Sequence, residues 1–129
     1  MKNAHLLVSD TLKDLGISPK YMGYSYLKTA IELVMDDVSL AHSVTKVLYP
    51  TVAKEHKTTS SRVERAMRHA IEIAFYRGDI DKLKDIFGFS VSCDKGKATN
   101  SEFIATIADY LSTHTEVEEP IWRKRISNR

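Results

Sequence analysis

A single cysteine, Cys93, is all the thiol that this 129-residue chain carries. That excludes an internal disulfide and any multi-cysteine zinc site, and it fits a reducing cytoplasm. No apolar run approaches the roughly 18 residues of a membrane-spanning helix, so no membrane role is expected. The opening MKNAHLLVSDTLKD acquires acids too early for a signal peptide. There is no glycine-rich phosphate loop. His42, His56 and His69 are dispersed and lack the HExxH or Cys/His spacing of a metal site. His56 reads as a packed or surface histidine. Asp36 and Asp37 read as a solvated helix face rather than as paired catalytic carboxylates. Cys93, beside Asp94 and Lys95, reads as a bystander thiol. No cofactor or metal is expected, and no enzyme reading finds support.

What is present suits a folded domain. Hydrophobic residues make up 43% of the chain and charged residues 28%, which argues against disorder throughout. The net charge is only +2, but it is uneven. Residues 1–50 balance, 51–78 sum to +3, 79–120 to −5, and the last nine to +4. A weakly basic chain of this kind can still offer one cationic face to a polyanion.

Apolar spacing is helical almost everywhere. Leu6, Leu7, Leu12 and Leu15 predict a first helix stopped by Gly16 and Pro19. Leu27, Ala30, Ile31, Val34, Met35 and Val38 follow the i, i+3, i+4, i+7 template of a second. Leu40, Val44, Val47 and Leu48 predict a third helix ended by Pro50, with a short one over 51–56. The longest runs over 61–77, closed by Gly78. Ile80, Leu83, Ile86 and Phe87 predict another, closed by Gly88. FSVSCDKGKA reads as a loop. Thr99 and Glu102 form a capping box for a last helix carrying Phe103, Ile104, Ile107, Ala108 and Leu111. Tyr21, Tyr24 and Tyr26 are expected to pack the second helix on the core with their hydroxyls at the surface. The fold class is all-α, a compact bundle of about six helices over residues 1–112. Residues 113–129 form a polar tail, expected to be loosely ordered.

The stretch 51–77, TVAKEHKTTSSRVERAMRHAIEIAFYR, has the form of a helix-turn-helix. Ala53 supplies the small residue where the second helix packs. The turn normally holds glycine, and Lys57 stands there instead. Val63, Ala66, Met67 and Ala70 face the first helix. Ser61 and Glu64 read as a second capping box. Arg62, Arg65, His69 and Glu72 remain on the outer face, with Arg68 at the flank. Arginine there can bond bidentately to guanine O6 and N7, and glutamate can accept from cytosine N4. Glu64 either reads a base or orients Arg68 at i+4. Thr58, Thr59, Ser60 and Ser61 can donate to phosphates.

The runs SVTKVLYPTVAKEHKTTSSRVERAMRHAIEIAFYRGDID, FGFSVS and TNSEFIATIADYL resemble the C-terminal effector domain of the master sporulation response regulator of endospore-forming bacteria. The resemblance spans roughly residues 12–111. It implies an all-helical domain that binds double-stranded DNA as tandem head-to-tail copies and activates or represses transcription. By position, Arg62, Glu64 and Arg65 match the family's base-reading residues. Ser61, Arg68 and His69 match neighbours expected to contact or support the backbone. Gly78, Lys82, Lys84, Phe87 and Val91 match the surface that engages the housekeeping sigma factor of RNA polymerase, although short polar residues are usual at 82 and 84. The family's full-length member also carries a receiver domain, which is not in this chain; an excised domain and a receiver-less relative both fit. The WRKRISNR extension lies outside the family pattern. One alternative stays open at this point: an interaction module that titrates full-length regulator or sigma factor without productive DNA binding.

Overall fold

The computed structural model describes residues 4–88 and 98–113, and every regular element among them is helical. Six α-helices follow in order: α1 (Ala4–Asp14), α2 (Met22–Asp36), α3 (Tyr49–Glu55), α4 (Ser60–Arg77), α5 (Ile80–Phe87) and α6 (Asn100–Thr113). A 3-10 turn, Val38–His42, and a π-type turn, Val44–Leu48, connect α2 to α3. The expected all-α bundle of about six helices is therefore what forms. Val91, Cys93 and the tail after Thr113 lie outside the described residues.

The bundle is built around α2, which packs most extensively against α4 and α6 and also meets α1 and α3. Its predicted stripe explains this. Leu27, Ala30 and Ile31 are fully buried and Val34 nearly so. Each large side chain of this kind contributes roughly 1.5–3 kcal/mol by leaving water. Tyr24 and Tyr26 join the core, as expected of the tyrosine run. Gly23 lets α2 cross α4 closely: a Cβ there would collide with the Ala66 carbonyl oxygen and lie 2.7 Å from Ala70 Cβ. A second tight contact sits at the far end of α4. A Cβ on Gly78 would come within 2.6 Å of the Leu15 carbonyl oxygen, and Gly16, at φ +87°, packs against it.

Three boundaries differ from the sequence reading. Val38 does not continue α2 and is 69% exposed. The helix ends because Asp37 turns extended and its carboxylate accepts from the Ser39 amide (3.1 Å) and hydroxyl (2.6 Å). Pro50 starts a helix rather than ending one, standing in the first turn of α3. Proline is tolerated there because its missing N–H needs no partner inside the helix. The wide turn before it, with Leu48 N–H on the Ser43 carbonyl at 3.0 Å, brings the chain in without a break. Finally, α4 is capped by Thr59 rather than Ser61. Thr59 is extended (φ −112°, ψ 156°), and its Oγ1 accepts from Arg62 N–H at 3.2 Å. Ser61 is already inside the helix.

The other caps form as read. Thr99 Oγ1 accepts from Glu102 N–H (3.1 Å), and Glu102 Oε1 accepts from Thr99 N–H (2.8 Å), a reciprocal box. Gly88 closes α5 at φ 54°.

Candidate nucleic-acid interface

The turn between α3 and α4 is a Schellman ending. Thr58 N–H donates to the Ala53 carbonyl (2.9 Å) and Lys57 N–H to the Lys54 carbonyl (3.3 Å). Lys57 takes the left-handed conformation, φ 56°, that usually selects glycine at this position. The lysine thus stands where the sequence reading expected a glycine, carrying the strain of a Cβ there. Packing behind the turn follows the predicted residues: Ala53, Val63, Met67 and Ala70 are all buried, with Ala66 half-buried.

That leaves one face of α4 to solvent. Ser61, Arg62, Arg65, His69 and Glu72 are exposed along it. Among the described residues neither Arg62 nor Arg65 has an ion-pair partner. Arg68 differs, since its guanidinium pairs with the Glu64 carboxylate one turn back. Of the two roles open to Glu64, the geometry favours orienting Arg68. His69 meets the ring of Tyr21 edge-on, centroids 6.0 Å apart. Thr58 and Ser60 are half-buried, while Thr59 is exposed and spends its oxygen as the cap.

The start of α4 is electropositive for two reasons. No acid stands in its first turn, and its free N–H groups carry the positive end of the helix dipole. Arg62 at the third helical position adds a full positive charge to an end whose side-chain cap is Thr59 alone.

Behind it lies a support that the sequence reading missed. Asn100, at the first position of α6, is buried. Its Nδ2 donates to the Tyr49 hydroxyl and to the Glu64 backbone carbonyl, each at 3.0 Å. One amide thereby joins α3, α4 and α6. Burial pushes the Tyr49 hydroxyl above its ordinary range, and Glu64 adds to the rise, while the Asn100 hydrogen bond and Arg68 pull it partly back. A signal existed: Asn100 heads the stripe Phe103, Ile104, Ile107, Ala108 and Leu111 in helical register, and a polar residue on a buried stripe requires a partner.

The residues after Gly78 scatter. Gly78 is wedged against Leu15 and Gly16, just after α1. Lys82 reaches Asp14 at 4.0 Å, and Lys84 is exposed. Phe87 is buried between Phe75 and Phe103, with ring centroids 5.4 and 5.5 Å away. Its side chain is thus core, not contact surface. His56 is a packed histidine: its Nε2 lies 2.8 Å from Thr29 Oγ1, and its ring meets Tyr26 edge-on. Among the described residues no group of acids, histidines and cysteines is placed to hold a metal, and no helix is long and apolar enough to cross a membrane.

Residues 8–111 match the family described as Sporulation initiation factor Spo0A C terminal. The chain belongs to this family. It is accordingly a sporulation-related, DNA-binding effector domain of the response-regulator type. The family is one of transcription factors, not of enzymes. The helical structure fits a helix-turn-helix, whose form α3 and α4 have, with the exposed arginine face on the second of the two.

Proposed function

We propose that α4 enters the major groove, with Arg62 and Arg65 reading base edges. Glu64, matched by position to the reading set, holds Arg68 toward the DNA backbone. Thr58, Thr59, Ser60, Ser61 and His69 contact or support the phosphates on either side. The observation that carries this is the pair of exposed arginines, without an ion-pair partner among the described residues, at the open end of a helix held from behind. Family membership supports the further reading that copies bind DNA head-to-tail and activate or repress transcription. On that reading, the surface around Lys82 and Lys84 meets the housekeeping sigma factor, with Phe87 shaping it from beneath.

A salt titration on a matched promoter duplex tests the reading. Affinity should fall by about 0.9 log units per log unit of salt for each phosphate neutralised. Arg62→Ala and Arg65→Ala should each cost roughly 1–3 kcal/mol and relax preference at one base pair. Arg68→Ala should weaken all sequences about equally. Absence of binding at low salt would favour the titrating interaction module instead.

A further inference from the structure

We propose that Asn100 is a positioning residue for DNA reading, setting the pitch of the first two turns of α4 from behind. This rests on the base-reading role of Arg62 and Arg65 proposed above.

Three observations converge on it. First, the amide of Asn100 bonds the carbonyl of Glu64, the residue lying between the two reading arginines. A carbonyl inside a helix already serves the ladder, so a second donor fixes the orientation of that turn about the helix axis rather than rescuing an unpaired group. Second, the same amide is tied to the Tyr49 hydroxyl on α3. The angle between the two helices of the motif is therefore referred to α6, outside the motif. Third, the start of α6 is itself pinned by its closed capping box, so Asn100 hangs from a rigid point.

The close glycine contacts of α4 lie further along. Gly23 meets it at Ala66 and Ala70, and Gly78 at its end. Apolar contacts at Val63 and Met67 resist separation but tolerate small rotations. A bidentate arginine does not tolerate them, because its two hydrogen bonds require a fixed approach to one base edge. Loss of the Asn100 tether should thus blur sequence discrimination while leaving phosphate binding intact.

The test compares Asn100→Ala and Asn100→Asp with the parent on a matched promoter duplex and on a random duplex, well below each protein's melting temperature. Asn100→Asp keeps the volume but sets a carboxylate against the Glu64 carbonyl. Both variants should lose roughly tenfold in the ratio of specific to random affinity, the scale of one mismatched base pair. The salt slope and the random-sequence affinity should stay unchanged. Tyr49→Phe removes one of the two anchors, and its effect should not add to that of Asn100→Ala in the double variant. Arg62→Ala run alongside separates the outcomes. If it alters the ratio and neither Asn100 variant does, the positioning role is wrong and base reading stands. If Arg62→Ala leaves the ratio unchanged as well, base reading itself fails. Parallel losses on both duplexes would also overturn the positioning role, marking Asn100 as a purely structural residue. Should Asn100→Ala not fold, Asn100→Asp and Tyr49→Phe carry the same comparison.

Discussion

The starts of α4 and α6 are near-copies in sequence and opposites in chemistry. TSSR opens one and TNSE the other, each with threonine as the cap. At α6 the third helical position is Glu102, whose carboxylate returns to the cap residue's own amide and closes the end. At α4 it is Arg62, which turns outward and leaves the end open. The closed end places an acid where the helix dipole favours it. The open end places a cation where the dipole opposes it, at a cost of a few tenths of a kcal/mol to about 1 kcal/mol. One end is therefore built for stability, and the other leaves its charge free for the external anion proposed above. The closed end, through Asn100, steadies the open one.

Arg62→Glu should break this contrast most sharply, by converting TSSR into a second capping box. Specific DNA affinity should drop by roughly 3 kcal/mol or more, because a bidentate contact is lost and a phosphate-repelling charge gained. Thermal stability should rise at the same time, by about 0.5–1 kcal/mol. Titration calorimetry paired with thermal melts reads both, and a variant that lost binding and stability together would contradict the contrast. Opening the closed end is the converse. Thr99→Ala should cost about 1 kcal/mol of folding stability, read by urea unfolding, with little change in random-sequence DNA affinity. A smaller effect belongs to the turn that aims the open end. Lys57→Gly removes a Cβ from a left-handed residue and should stabilise by roughly 0.5–1 kcal/mol in the same assay.

The smallest expected effect is alkaline. Burial raises the Tyr49 hydroxyl above its ordinary 10.0, and a hydrogen bond to Asp85 raises Tyr110. A raised folded value means the stabilising contribution is fully present below about pH 10. It is lost as pH climbs through the folded value. Tyr49→Phe should accordingly shift the midpoint of alkaline unfolding upward relative to its own neutral-pH stability.

The two ends were not equally legible in the sequence. Thr99 and Glu102 define their box without ambiguity, since one hydroxyl and one carboxylate stand at the right spacing. Around the start of α4 four hydroxyl residues, 58–61, follow in a row, and Ser61 with Glu64 satisfies the same spacing by coincidence. What selects Thr59 is the Schellman turn, two residues upstream, which sets where the chain becomes extended. The apolar faces of α2 and of the helix-turn-helix were readable because burial imposes periodicity. Phe87 was not, because an aromatic at a helix end serves a surface or a core equally well until Phe75 and Phe103 close around it. Asn100 escaped because its partners, Tyr49 and Glu64, lie 51 and 36 residues away.

The Gly78–Leu15 contact has a mechanical consequence. With Gly23 acting near its middle and Gly78 at its far end, α4 is a beam with a fulcrum and a clamped heel. On the proposed reading, load applied to the arginine-bearing tip in a groove would turn about the fulcrum and reappear at the heel. There it would press on Leu15 and Gly16, in the connection between α1 and α2. On that reading, the side of the molecule away from the tip receives the bending moment of DNA engagement.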